Sequence, residues 1–293
     1  YSLKPNTNPS LFDLANIKDL LTSEIGDIRD FNQLKKSMMD FEPHILIHMA
    51  AQPLVRLSYK EPIETYTTNV IGTVNVLEAA RSCKNLKSIV SVTTDKCYEN
   101  MEWDWAYREN EPMGGHDPYS SSKGCAELVT AAYRNSFFFN ENSPALASAR
   151  AGNVIGGGDW ATDRLIPDTL KAFNIGGIVK VRNPLAVRPW QHVLEPISGY
   201  LMLAESLYLE GNKYEGAWNF GPNEDDCKNV EWILNQMVRI WGDGVSWQLD
   251  NNPQPHEATY LKLDCSKAKI HLKWNRRILR LAKGFKKKSS VKT

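Results

Sequence analysis

The hydrophobic positions of this chain change period from stretch to stretch, and the changes mark alternating strands and helices. "TSEIGDI" and "HILIHMA" are short apolar runs bounded by polar residues, the pattern of strands. Between them "DFNQLKKSMMDF" repeats its apolar positions every three or four residues, the pattern of an amphipathic crossover helix. A further helix is expected from about Glu64 to Arg81, where Val70, Val74, Leu77 and Ala80 fall on one face. The run Leu86 to Val92 then reads as a buried strand, "DPYSSSKGCAELV" as the next helix and "ALASARAGNVIG" as the next strand. Such alternation predicts an α/β fold, with a parallel, doubly wound sheet covered by helices on both faces.

Beyond Gly156 the texture shifts to glycine-, proline- and tryptophan-rich loops with shorter elements, as expected of a smaller lobe that closes over a ligand. Residues 1–155 are the expected first domain and 156–293 the C-terminal lobe. One long apolar helix, about Val193 to Glu210, is expected to return to the first domain and interleave the two. The tail 275–293 is basic, with only Ile278, Leu281 and Phe285 at helical spacing. A membrane-surface or RNA-binding segment and a disordered terminus are both open readings of it.

Open α/β sheets bind ligands at the carboxyl ends of their strands, and Thr93, Thr94, Asp95 and Lys96 fall directly after the Leu86–Val92 run. Downstream, Tyr119 and Lys123 are four residues apart, on one face of a helix. A lysine ammonium so placed can stabilise a phenolate, and a phenolate can act as a base. The spacing alone is common. Its place after a strand that ends in polar residues gives it weight.

Composition narrows the function further. The 293 residues are 42% hydrophobic, enough for a sizeable core. A net charge of +1 gives no general case for nucleic acid, so any phosphate must be drawn by local arginines. Cys83, Cys97, Cys125, Cys227 and Cys265 are widely spaced, with no C-x-x-C pair and no histidine at zinc-finger spacing. Reduced thiols in a cytoplasmic protein, without a metal, fit that pattern. No apolar run approaches the roughly 18 residues a membrane span needs, so a soluble protein with no membrane partner is expected.

Ordered blocks run from about Tyr1 to Trp274: "GDIRD", "ILIHMAAQP", "TNVIGTVNVLEAAR", "SVTTDKCY", "YSSSK", "SARAGNVIGGGDWATDRLIPD", "VRNPLAVRPWQHVLE", "AWNFGPN" and "LKLDCSKAKIHLKW". Through them the chain resembles the extended short-chain dehydrogenase/reductase family, in its nucleotide-sugar branch. The "TTDK" block points to the 4,6-dehydratases of that branch, and its closing lysine to those taking CDP-glucose. The resemblance implies a Rossmann-like domain and NAD as cofactor. It also implies a reaction that oxidises the sugar 4-hydroxyl, eliminates water across carbons 5 and 6, and returns the hydride to carbon 6.

In that scheme Tyr119 takes the 4-hydroxyl proton, Lys123 lowers its pKa and contacts the nicotinamide ribose, and Thr94 bonds the same hydroxyl. Asp95 is the general acid for elimination, which requires a raised pKa. Lys96 is the base, at a position where many relatives carry glutamate. Asp27, Ile28, Ala50, Ala51, Gln52, Asn69 and Thr93 join Tyr119 and Lys123 on the cofactor side. Asn153, Arg164, Arg188 and His256 are the implied substrate contacts. "GDIRD" also reads as a helix N-cap through Asp30, His48 as a packed core histidine, and Asn69 as a backbone-bonding asparagine. Relatives pair through two long helices, here about Glu64 to Arg81 and Tyr119 to Asn135, which implies a homodimer.

The family opens with a strand, a glycine-rich turn and a helix whose N-terminus holds the pyrophosphate. The first residues here, "YSLKPNTNPS", resemble the segment just after the family's second strand. The first two strands are therefore expected to be absent from this chain, its sheet edge exposed and its hold on NAD weak or absent. "GNVIGGGDW" comes after a late strand and reads as a substrate-side loop. A nucleotide-sugar 4-epimerase, which shares Tyr119 and Lys123 but needs no elimination acid, and a non-catalytic dinucleotide-fold binding protein remain open alternatives.

Overall fold

The structure is a computed structural model and describes residues 1–253 and 258–275. Four short runs, Ile45–His48 (β1), Ser88–Val92 (β2), Ala145–Ala151 (β3) and Gly216–Phe220 (β4), lie side by side in chain order as one parallel sheet. In the β2/β3 register Ile89 stands opposite Leu146 and Val90 opposite Ala147. Because side chains alternate between faces, Ile89 and Leu146 point to one side and Val90, Ala147 and Ala149 to the other.

On the first side the helices Phe31–Phe41 (α1), Gly72–Ala80 (α2) and Pro118–Ser136 (α3) cover the sheet. Helix α1 starts where the Asp30 carboxylate accepts from the Gln33 amide at 3.0 Å, and it buries Leu34 and Met38, one turn apart. Leu77 of α2 is fully buried, and burial of such a side chain contributes about 1.5–3 kcal/mol. Helix α3 begins at Pro118 behind the N-cap Asp117, whose carboxylate accepts from the Ser120 amide at 3.0 Å. Leu165–Asn174 (α4) belongs to the smaller lobe, and Leu194–Glu210 (α5) returns to cover the second side of the sheet with Tyr200, Leu203 and Leu207. Its backbone comes so close to Phe220 that a Cβ at Gly199 would lie 2.3 Å from that ring.

The smaller lobe has its own core. Helices α4 and Val230–Trp241 (α6) pack on Ile178–Val181, which pairs in parallel with Ser246–Leu249, around Phe173, Val179, Trp190, Ile233 and Leu234.

Three expectations need correction. "TSEIGDI" is not a strand: Ile25 makes a single parallel bridge to Ser2 and is exposed, and although Ile28 is buried no ladder sustains the segment. The helix from Glu64 is interrupted by a π-helical turn at Thr67–Ile71, and its first half buries Thr65 and Asn69 while Val70 and Val74 are only half-buried. That half faces the polar groups of Gln52 and Ser122. The boundary at 155 is crossed by β4 as well as by α5, since β3 finds its second ladder partner in β4.

Candidate active site

A cavity of about 710 Å3 opens where the carboxyl ends of β2 and β3 meet the smaller lobe, within the range of ligand pockets. Thr93, Thr94, Asp95, Lys96 and Tyr119 line it from the sheet side, Gly152 and Asn153 from the end of β3, and Arg164 and Arg188 from the lobe.

Tyr119 is 8% exposed, and burial pushes its phenol up to about 12. A hydrogen bond with the Thr94 hydroxyl and the charge of Arg164 act in the opposite sense. The Thr94 Oγ1 also lies 3.1 Å from Asp95 Oδ1, so one hydroxyl stands between phenol and carboxyl. Asp95 is 2% exposed, and burial raises its pKa against the pull of Lys96, Thr94 and Arg188. Its Oδ2 is buried without a hydrogen-bond partner among the described residues. A carboxyl in such surroundings is held toward its protonated form, the state an acid catalyst needs.

Lys123 shares the Tyr119 face of α3 as the spacing predicts, but its Nζ donates to the Val92 carbonyl at 3.3 Å. The cation that pulls the phenol down is Arg164, from the lobe. Burial lowers Lys123 to about 8. His48 is buried against the Thr73 hydroxyl at 3.1 Å, and burial together with Lys123 lowers it to about 3, the state of a neutral packed histidine.

The expected cofactor-side residues fall into two groups. Asn69 ties the loop after β1 to α3: its Oδ1 accepts from the Gln52 amide at 2.8 Å, and its Nδ2 donates to the Gln52 carbonyl at 3.1 Å and to Ser122 Oγ at 2.9 Å. The Gln52 side chain donates to Thr65 and closes the turn at Leu54, leaving Ala50 and Ala51 as the small residues of this pinned loop. The Thr93 hydroxyl is spent on Glu127. Asp27 lies away from the cavity and is held low by its hydrogen bonds to Arg29, while Ile28 is packed in the core beside α1 and α2.

On the substrate side, Asn153 and Arg164 line the cavity, and Arg164 is also 3.9 Å from Asp159. The Arg188 guanidinium donates to the carbonyls of Val187, Ala258 and Thr259, fastening the 258–259 segment while its charge reaches Asp95. His256 and the basic tail from residue 276 lie outside the described residues.

The sequence model of the GDP-mannose 4,6-dehydratase family matches residues 7–286. The chain belongs to this family. Among its relatives, CDP-glucose 4,6-dehydratase of Salmonella typhimurium is 59% identical over 281 residues, spanning 94% of this chain and 78% of the relative. Two solved structures share the fold at lower identity. UDP-glucuronic acid 4-epimerase of Bacillus cereus superposes with a TM-score of 0.80 at 22% identity, over 96% of this chain and 86% of its own. dTDP-glucose 4,6-dehydratase of Bacillus anthracis does so with 0.72 at 23%, over 90% and 79%.

Two cavity features escaped the sequence reading. Tyr200 of α5 enters from the far face of the sheet and interacts electrostatically with Tyr119 and Asp95; burial, the larger cause, pushes its hydroxyl well up. No spacing links residue 200 to residue 119, so no local signal could have found it. At the mouth, Asp163 lies 3.3 Å from Arg56 and 3.9 Å from Arg182. Its φ of +59° is left-handed, a conformation that favours asparagine and aspartate among residues with a Cβ.

Proposed function

We propose that this chain is an NAD-dependent CDP-glucose 4,6-dehydratase, forming CDP-4-keto-6-deoxyglucose. The reading is carried by one observation: Thr94, Asp95, Lys96 and Tyr119 converge at one end of a single cavity, with Asp95 buried and one of its oxygens unpartnered. The 59% identity to the Salmonella enzyme supports the nucleobase and the sugar. A 4-epimerase has no use for a buried carboxyl of raised pKa beside the base.

The residues present fit the nicotinamide half of a dinucleotide. The Asn69-pinned loop offers its backbone behind two alanines, and Tyr119 and Lys123 stand at the strand ends where a ribose would be held. Asp27 would face the adenosine end. When bound, the dinucleotide supplies the acceptor for the carbon 4 hydride and the donor that returns it at carbon 6.

Tyr119 takes the proton of the 4-hydroxyl as the phenolate, which burial disfavours and which Thr94 and Arg164 partly stabilise. A ketone at carbon 4 acidifies the carbon 5 proton, which Lys96 removes. Asp95 gives its proton to the departing 6-hydroxyl. Arg164 and Asn153 hold the diphosphate, where charge-assisted hydrogen bonds are strongest, and Arg188, its guanidinium fastened to backbone carbonyls, adds its charge from the cavity wall. His256 is a further substrate contact in this scheme.

A homodimer accompanies this reading. Ile63, Leu57 and Leu128 are exposed on the short helices and on α3, at 79%, 37% and 61%. An Ile63→Asp/Leu128→Asp variant is expected to sediment as a monomer. The five unpaired thiols suit the cytoplasm, and the product suits deoxyhexose synthesis for surface polysaccharide. The functional test is product formation from CDP-glucose compared with UDP- and dTDP-glucose; turnover of either rival sugar at a rate above that of CDP-glucose would overturn the assignment.

A further inference from the structure

Beneath the cavity a buried charge network joins the sheet to the Tyr119 helix. Glu127 lies one helical turn beyond Lys123 on α3, and both side chains are buried, at 5% and 6%. The Glu127 carboxylate is held by four donors. Arg150 Nε and Nη2 reach it at 2.9 and 2.7 Å, Ser148 Oγ at 2.7 Å, and the Thr93 hydroxyl completes the set. Arg150 is anchored in turn, donating to the Tyr98 hydroxyl at 2.8 Å and the Glu109 carbonyl at 3.0 Å, and Tyr98 donates to Asn219 at 2.8 Å. The carboxylate thus cannot swing toward Lys123, whose Nζ donates to the Val92 carbonyl.

We propose that Glu127 is a positioning residue for the catalytic pair, a fixed buried counter-charge that keeps Lys123 an ammonium while Arg150, Ser148 and Thr93 prevent the two from pairing directly. The proposal rests on the reading of Tyr119 and Lys123 as the catalytic pair. A buried ammonium needs a nearby negative charge, and a carboxylate in direct contact would take up the hydrogen bonds intended for a ligand. A tethered carboxylate one turn away supplies the field and leaves the donors free.

The groups facing Lys123 support this assignment. Burial is the largest influence and lowers its pKa; Glu127 is the largest influence that raises it. Cys97, from the turn after β2, acts in the same direction as Glu127 when ionised, but burial holds that thiol neutral. His48, on β1, is neutral as well. Arg150 holds Glu127 ionised, its pKa lowered although burial opposes this.

The test is an NMR titration of the full chain labelled with 13C-lysine, with the Lys123 signal assigned by its loss in Lys123→Met. The wild-type midpoint is expected near 8, and in Glu127→Gln it should fall by about one pH unit. Glu127→Gln leaves Arg150 buried and unpaired, so Glu127→Gln/Arg150→Met, which leaves no unpaired guanidinium, is run beside it and is also expected below wild type. Ser148→Ala removes one tether but neither charge, and should leave the midpoint in place. An unmoved midpoint in the folded double variant, or an equal fall in Ser148→Ala, would overturn the proposal. A fallen midpoint without turnover of CDP-glucose would sink the dehydratase reading and leave this one standing; normal turnover with an unmoved midpoint would do the reverse.

Discussion

Gly152 and Asp95 meet at the floor of the cavity: a Cβ at position 152 would lie 3.0 Å from Asp95 Oδ2 and 2.3 Å from Pro189 Cγ. The glycine therefore leaves room for the carboxyl at the end of β3. Gly152→Ala should lower stability by about 1–3 kcal/mol through overpacking, and should slow dehydration by displacing the carboxyl. Thermal unfolding together with turnover checks both effects; a variant with wild-type stability and rate would show that the carboxyl does not depend on this space.

Asp95→Asn keeps the shape of the buried side chain and removes the proton that the leaving hydroxyl requires. Dehydration should fall by about 100- to 10,000-fold, while oxidation at carbon 4 continues and appears as reduced-nicotinamide absorbance. Undiminished dehydratase turnover would remove Asp95 from the role of acid.

The buried His48 makes stability depend on pH. Its pKa is lowered from an ordinary 6.5 to about 3, so between those values the unfolded chain binds a proton that the folded chain does not. The contribution is fully present above 6.5 and is lost as pH falls toward 3. Between pH 7 and pH 5 the loss is about 2 kcal/mol. His48→Gln should flatten that part of the stability profile in chemical denaturation; a slope identical to wild type would contradict the assignment.

Asn69 holds the cofactor-side loop through three hydrogen bonds at 1% exposure. Asn69→Ala leaves the Gln52 amide without its acceptor and should cost about 1–3 kcal/mol. Hydrogen exchange across residues 49–54 should rise more than exchange in β3. Uniform loosening of the whole sheet would argue against a local pin.

Much of the site was legible because its chemistry is local. Thr94 and Asp95 come directly after β2 in sequence, and Tyr119 and Lys123 share a helix face, so period and spacing put all four near the end of β2, although Lys123 turns to the Val92 carbonyl and does not line the cavity. What the sequence could not show was which group claims each side chain. The Thr93 hydroxyl went to Glu127 and the Arg188 guanidinium to the carbonyls of Ala258 and Thr259, contacts made across 34 to 71 residues. Tyr200 enters from a helix on the opposite face of the sheet, a juxtaposition fixed only by tertiary packing. The same holds for the fold: β1 to β3 were visible as apolar runs, whereas "TSEIGDI" has a strand-like pattern but lacks the partners that would make it one.

The central claim, a tyrosine base working beside a buried acid on CDP-glucose, is tested most directly by incubating the chain with CDP-glucose and saturating NAD and recording the ultraviolet absorbance of the 4-keto product in alkali. Absorbance should grow with the wild-type chain and stay at background with Tyr119→Phe. No absorbing product from the wild-type chain, or equal product from both, would contradict the account.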